Sequence, residues 1–172
     1  MKHLFITAMC ISLIALAGCN KASADNYTEN AKAKAELAAR YPDAVNVNWV
    51  SKNGYSIAKF NRLATRAQKS EYDFSVWFTR GGDWCMTESE VNYDALPLAV
   101  RTAFEASEYA GWKIDDIDKI ERIGMETFFV IEVETKAGNI EKEAELYYSA
   151  DGVLIKVTAG YDSDYDYEDY LP

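Results

Sequence analysis

The stretch that decides the fold is VWFTRGGDW, residues Val76–Trp84. It is typical of two strands joined by a tight turn, because aromatic and β-branched residues flank a glycine that can adopt a positive φ. The stretch LYYSADGVL, residues Leu146–Leu154, has the same pattern, and its Gly152 stands where Gly82 stands in the first. The sequence therefore predicts two equivalent strand–turn–strand segments.

A helix is predicted ahead of each of these segments. The first covers about residues 29–41, is rich in alanine, and ends at Pro42, which cannot continue a helix. The second runs from Pro97 to about Tyr109, with the proline in the first helical turn. Helices, strands and turns recur at one offset, and this recurrence predicts a duplicated unit.

The expected fold class is α+β. We predict a tandem repeat of two units, each a helix packed on an antiparallel β-sheet, with residues 31–92 in the first unit and residues 93–160 in the second. Strands are expected at residues 45–49, 55–61, 71–79, 84–90, 116–123, 127–135, 140–149 and 153–159.

Several landmarks together resemble a known family. They are Tyr41-Pro42 after the first helix, Trp49, Trp77-Phe78 before the glycine turn, Trp84 after it, and Leu96-Pro97-Leu98-Ala99-Val100 at the second helix. Over nearly all of residues 31–159 the chain resembles the PepSY-like proteins described as β-lactamase-inhibitor-like, and it departs from them in loops, at residues 63–70 and at Arg80-Gly81. The resemblance implies tandem α/β units and a binding or inhibitory role.

The N-terminus has the pattern of a bacterial lipoprotein. Leu4–Ala17 is mostly apolar but shorter than the roughly 20 residues that a membrane span needs, which is typical of a signal peptide. It ends in Leu16-Ala17-Gly18-Cys19, which resembles a lipobox. We expect residues 1–18 to be the signal peptide and Cys19 to be lipidated; an ordinary signal peptide with a chance cysteine is the alternative.

This reading gives an address in the cell envelope. Residues 19–30 would form a flexible tether, and contact with the membrane would be through the lipid alone. Asn20 follows the cysteine where an aspartate would direct retention in the inner membrane, so resemblance to known sorting patterns favours the outer membrane, facing the periplasm. Residues 161–172 form an acidic, tyrosine-rich tail.

Composition narrows the class of partner. The formal net charge of −10 repels phosphate backbones, so no nucleic-acid partner is expected. Aromatic residues make up 13% of the chain, which favours a packed fold with an adhesive surface over a disordered chain. With Cys10 in the leader and Cys19 lipidated, Cys85 is left alone, and we expect a buried, inert thiol rather than a reactive or intermolecularly paired one.

No catalytic or metal-binding set stands out, so we expect neither an enzyme nor a cofactor. The single histidine, His3, lies in the leader. Ser56 and Lys59 match the Ser-x-x-Lys pattern of penicillin-recognising enzymes, but in a strand residues three apart point to opposite faces. Aspartates at positions 162, 164 and 166 copy the start of a calcium loop whose later ligands are missing, so a solvated tail is favoured.

Strand alternation predicts a candidate partner-binding face. Positions that alternate with the apolar set point away from the helices, which makes the second sheet face both aromatic and acidic. The predicted partner-binding residues on it are Trp77, Tyr147, Phe128, Glu132 and Glu145. Such a face suits a protein or peptide, and a basic one in particular; the alternative is that Trp77 and Tyr147 pack between the two units.

The sequence thus predicts a membrane-anchored periplasmic lipoprotein that acts as a protein- or peptide-binding module, with inhibition as one form of that role. The alternative is a structural envelope lipoprotein without a dedicated ligand.

Overall fold

A computed structural model describes residues 30–63, 72–138 and 140–160. The α-helices are α1 (Ala31–Arg40) and α2 (Leu98–Glu105), and a 3-10 turn covers Tyr93–Ala95. The strands are β1 (Ala44–Lys52), β2 (Tyr55–Arg62), β3 (Phe74–Phe78), β4 (Trp84–Glu90), β5 (Lys113–Arg122), β6 (Phe128–Ala137), β7 (Ile140–Ser149) and β8 (Leu154–Ala159). None of the helices in the described part of the chain is long and apolar enough to cross a membrane.

The strands form a single 8-stranded antiparallel sheet in the order β1-β2-β3-β4-β5-β6-β7-β8. The predicted fold class, an α+β tandem repeat of two helix-on-sheet units, is therefore wrong, and the fold is mainly β. The sheet continues across the expected boundary because β4 pairs with β5, from Met86 opposite Arg122 to Glu90 opposite Asp118. Each of these strands would otherwise expose an edge of unpaired N–H and C=O groups, and pairing satisfies both edges.

The positions of the single elements follow the sequence closely. Strands β4 and β7 have the predicted bounds, and the two quoted stretches form the hairpins β3–β4 and β7–β8. The second helix is shorter than expected and ends at Glu105, after which the Ser107 hydroxyl donates a hydrogen bond of 2.7 Å to the Phe104 carbonyl. That side-chain bond closes a turn in place of further helix.

The hairpin turns hold the helices in place. Asn30 caps α1 by accepting hydrogen bonds from the Lys32 and Ala33 amides, and its side-chain amide donates to the Arg80 carbonyl at 3.0 Å. Gly82 has a φ of +86°, and a Cβ there would lie 2.6 Å from the Asn30 side-chain oxygen. Gly152 has a φ of +85°, and a Cβ there would lie 2.5 Å from the Ala99 carbonyl oxygen at the start of α2. Both turns need glycine for its positive φ and for the close approach of a helix.

Both helices pack on one face of the sheet, which we call the covered face. Pairing carries this face from Val76 on β3 through Thr87 on β4 to Glu121 on β5. Under α1 the buried side chains are Ala33, Leu37, Ala58, Phe60, Val76 and Phe78. Under α2 they are Leu96, Val100, Phe104, Ile117, Phe129, Ile131, Val133, Ala144, Leu146 and Tyr148. Burial of these apolar groups supplies the main stabilisation of the helices, which are too short to be stable alone.

Several predictions lie outside the described residues. They concern the signal peptide, lipidation of Cys19, the tether up to residue 29, and the acidic tail with its three aspartates. They stay predictions.

Candidate functional site

The other side of the sheet, which we call the open face, has its own buried cluster and no helix on it within the described residues. The cluster contains Ile57, Trp77, Cys85, Met86, Ile120, Phe128, Val130 and Tyr147, with Val50 and Tyr55 packed against it. Every member belongs to a strand, and the strands run from β1 to β7. Strand alternation therefore correctly separated the side chains under the helices from those on this face.

The open face is concave. A cavity of about 600 Å³ on it is lined by residues from β1 to β6, Asn48 and Glu132 among them. In a flat sheet these two strands would be about 24 Å apart, since neighbouring strands are separated by roughly 4.8 Å. The curvature also explains how Trp77 and Tyr147 reach exposures of only 5% and 6% although no helix covers them within residues 30–63, 72–138 and 140–160.

All five predicted partner-binding residues lie on this face, the three aromatic ones in the apolar cluster and the two glutamates opposite each other on β6 and β7. Phe128 stacks against Tyr147 with ring centroids 6.2 Å apart, and Glu132 lies directly opposite Glu145 on the neighbouring strand. Trp77 enters the same cluster from β3, where its ring centroid lies 6.0 Å from that of Tyr55.

All five are also buried, with exposures of 3–8%. The placement of Trp77 and Tyr147 in one cluster agrees with the alternative in which they pack between the two halves of the chain. Their role in binding a partner stays a prediction.

The cavity is strongly acidic, and we call it the acidic cavity. Its lining includes six carboxylates and one amine: Asp73, Glu88, Glu90, Asp116, Asp118, Glu132 and Lys59. Asn48, Val50, Tyr72, Phe74 and Ser75 complete the lining. Four of these carboxylates, Glu88, Glu90, Asp116 and Asp118, come from β4 and β5. These two strands join the two halves of the sheet.

Carboxylates face each other across the strands of this region. Glu90 pairs with Asp118, Asp116 pairs with Glu132, and Glu132 pairs with Glu145. Like charges directly opposite each other destabilise a sheet. Three such pairs side by side lower the folding stability of the sheet. Proteins break local rules in this way chiefly at functional sites.

Asp118 lies at the floor of the acidic cavity with 6% of its surface exposed. It has no hydrogen-bond or ion-pair partner among residues 30–63, 72–138 and 140–160. Burial, reinforced by the nearby Glu88 carboxylate, raises the pKa of Asp118 well above its ordinary value. A buried carboxyl group without a partner is costly, and this one prefers to hold a proton.

Glu132 and Glu145 extend this pattern across β6 and β7. Glu132 is 8% exposed, and burial together with the Asp116 carboxylate raises its pKa to about 7. Glu145 accepts hydrogen bonds through one oxygen, from the Tyr147 hydroxyl at 2.7 Å and from the Thr158 hydroxyl at 2.8 Å. Its other oxygen is buried and has no partner in the described part of the chain.

The groups considered for chemistry are placed as follows. Ser56 pairs with Phe78 on the covered face, whereas Lys59 lines the acidic cavity, so the Ser-x-x-Lys pair is divided between the two faces as expected. Cys85 is buried and donates to the Trp77 carbonyl at 3.2 Å, and burial raises the pKa of its thiol to about 11. Within the described residues no three His, Cys, Asp or Glu side chains converge as metal ligands would.

Sequence analysis missed the β4 and β5 carboxylates. Alternation along β4 places Glu88 and Glu90 on the open face, and the same rule along β5 places Asp116 and Asp118 there. The signal was present, but it could be used only once both segments were known to be neighbouring strands.

The fold and this face define a class of mainly β proteins in which one curved sheet has both of its described helices on the same side. The family model described as "Putative beta-lactamase-inhibitor-like, PepSY-like" matches residues 68–156, and the chain belongs to this PepSY-like family. No curated protein matches the chain.

Solved structures support the same relationship. A BLIP-like protein from Bacteroides fragilis NCTC 9343 is 31% identical with a TM-score of 0.62, and the match covers 78% of this chain and 90% of that one. A DUF2874 family protein from Bacteroides ovatus ATCC 8483 is 28% identical with a TM-score of 0.64, over 79% and 91% of the two chains. Another from Bacteroides uniformis ATCC 8492 is 25% identical with a TM-score of 0.65, over 80% and 93%.

Proposed function

We propose that this chain is a lipid-anchored, non-catalytic module of the cell envelope, facing the periplasm, that binds a protein or peptide on its open face. The observation that carries the proposal is the concave open face itself, where the buried Asp118 and Glu132 have no hydrogen-bond partner in the described part of the chain and lie beside an apolar cluster. Concave surfaces with an apolar part and a few placed polar groups are typical binding sites. The family description and the BLIP-like relative support a protein as the ligand and inhibition as one form of the role.

The proposal of binding rather than catalysis has support from the described residues. The thiol of Cys85 is the most nucleophilic side-chain type present, yet its raised pKa keeps it protonated and unreactive at neutral pH. Ser56 is separated from Lys59 by the sheet, so the lysine cannot act as its base.

The envelope address is supported by the sequence Leu16-Ala17-Gly18-Cys19. Metabolic labelling with a palmitate analogue tests it, with Cys19→Ala as the variant and Cys85→Ala as the matched control. We expect the label to be lost with Cys19→Ala and kept with Cys85→Ala. Equal labelling of both variants would remove the anchor from the proposal.

The binding face is tested by site-specific photo-cross-linking in cells that express the full chain. A photoreactive amino acid is placed at Ser75, a half-buried residue that lines the acidic cavity, and in a second strain at Ala35, an exposed residue on α1. We expect discrete covalent adducts from position 75 and none of the same size from position 35.

A blocking variant completes this test. Ser75→Trp should fill part of the cavity and abolish adducts from a second photoreactive site at Asn48, whereas Ala35→Trp should not. Adducts of the same size from position 35, or no adduct from the open face at all, would contradict the proposal. The second result would favour the alternative, a structural envelope lipoprotein without a dedicated ligand.

A further inference from the structure

We propose that the acidic cavity is the receptor for a lysine or arginine side chain of the partner protein, with Asp118 as the buried anion that the cation meets. This inference rests on the proposed function and identifies the chemistry that the partner must bring to the open face.

The lining of the cavity carries an excess of negative charge. Six carboxylates and one amine line a space of about 600 Å³. Charges of one sign in a concave, low-dielectric site focus the electrostatic field and attract a ligand of the opposite sign. The complementary ligand group is therefore a cation.

Two carboxylates of the cavity are buried and have no partner in the described part of the chain. Asp118 is 94% buried, reaches the cavity, and has no hydrogen-bond or ion-pair partner in the described part of the chain. Glu132, 92% buried, likewise has no such partner in the described part of the chain and lies on the neighbouring strand, β6. Buried carboxylates are ordinarily paired or hydrogen-bonded, so two without partners in one cavity indicate that the counter-charge comes from outside.

Three basic side chains near the cavity have contacts with residues outside its lining. The Arg122 guanidinium lies 4.9 Å from the centre of the Phe128 ring, and the Lys156 amine lies 5.2 Å from that of Tyr147. Lys113 forms an ion pair with Glu134. Asp118 and Glu132 have no ion-pair partner in the described part of the chain, so a ligand can supply their counter-charge.

The spacing of the carboxylates favours an organic cation over a metal ion. The described carboxylates do not converge in threes as a metal site requires, and they are spread along the walls of a cavity much larger than one ion. A long cationic side chain fits this arrangement, because its methylenes can lie along Val50 and Tyr72 while its head reaches the acids. The apolar cluster alongside the cavity suits the rest of a protein surface better than a free amine in solution.

The test uses the full chain in detergent micelles and four defined probes, with binding followed by isothermal titration calorimetry at pH 8 and low salt. The probes are an acetylated, amidated peptide with two lysines, the same peptide with glutamines, spermidine, and calcium chloride. Asp118→Asn and Glu132→Gln are the variants. Glu121→Gln is the matched control, because Glu121 is on the same strand as Asp118 but on the covered face, paired with Lys119 at 2.9 Å.

We expect the lysine peptide to bind, the glutamine peptide not to bind, and the affinity to fall at least about tenfold in Asp118→Asn and Glu132→Gln but not in Glu121→Gln, since loss of one member of a desolvated charge pair weakens binding strongly. Equal affinity of all variants would show general attraction to an acidic protein and overturn the proposal. Tighter binding of spermidine than of the peptide would assign the cavity to free amines, and displacement of the peptide by calcium would assign it to a metal; either overturns it. Near-UV circular dichroism confirms that each variant is folded. Asp118→Asn and Glu132→Gln change the same cavity at different strands, so the affinity loss can be measured with either one if the other does not fold.

Cross-linking distinguishes failure of the cation-binding proposal from failure of the proposed function. If cross-linked adducts from position 75 persist unchanged in Asp118→Asn and Glu132→Gln, the open face binds a protein but the cationic side chain is not what the cavity holds. If no adduct forms in the unmodified chain, the proposed function itself is wrong.

Discussion

The two faces of the sheet bury their side chains in different ways. Under the helices, the buried residues are almost all apolar and interlock with α1 and α2. On the open face, an apolar cluster of comparable burial lies beside Asp118, Glu132 and Glu145, which are buried as well. Burial stabilises the first face throughout, whereas on the second it stabilises the apolar part and destabilises the acidic part. The open face is therefore the part of the molecule where some of the residues present lower the free energy of unfolding.

The largest expected effect tests whether the open face is truly part of the core. Trp77→Ala and Tyr147→Ala should each lower the free energy of unfolding by about 3–5 kcal/mol, because both rings are buried in a cluster that spans the two halves. Trp77→Phe should cost less than about 1.5 kcal/mol, since it keeps most of the packing. Urea unfolding measures both. A loss below 1 kcal/mol for the alanine variants would mean that these rings are a surface feature, available to a partner.

A smaller effect of the opposite sign is expected at the acidic part. Asp118→Leu should raise the free energy of unfolding at pH 7 by about 1–3 kcal/mol, because it removes a buried carboxyl group that has no partner in the described chain. Glu121→Gln, on the covered face of the same strand, should change it by less than about 0.5 kcal/mol. Destabilisation by Asp118→Leu would show that this carboxyl group is satisfied in solution and would remove the contrast between the faces.

Local structure could be predicted from the sequence, and sheet assembly could not. The hairpins around Gly82 and Gly152 follow from turn chemistry that is complete within nine residues. The pairing of β4 with β5 depends on two segments that meet across the connection containing α2, and no local pattern records which edge a strand selects. The single sheet was therefore missed, and two separate sheets were predicted.

The candidate site shows the same limit. Alternation placed Trp77, Phe128 and Glu132 on the correct face, because each lies in a strand with a clear pattern. Asp118 was missed because isoleucines recur every third residue along β5, which obscured the strand period. Burial was predicted only as the alternative for Trp77 and Tyr147, since the curvature that encloses these side chains is a property of the whole sheet.

The smallest expected effect is a pH dependence that arises from the open face. In the folded chain the pKa of Glu132 is raised to about 7, while in the unfolded chain it has its ordinary value near 4.5. Between these values the folded state binds more protons than the unfolded state, so stability should fall as pH rises from about 4.5 to about 7. The raised pKa of Asp118 acts in the same direction. The lowered pKa of Asp43, caused by its hydrogen bond with Arg62, acts below this window.

The charged groups that face Asp118 and Glu132 on the open face are Lys59, Asp73, Glu88, Glu90, Asp116 and Glu145. Urea unfolding at pH 5, 6, 7 and 8 measures the slope, and Glu132→Gln should flatten it while Glu134→Gln, further along the same strand, should not. The lysine peptide should flatten it as well, because a bound cation favours the ionised carboxylates and lowers their pKa. A slope unchanged by Glu132→Gln would place its origin outside the open face, and the two faces would then be alike in their response to pH.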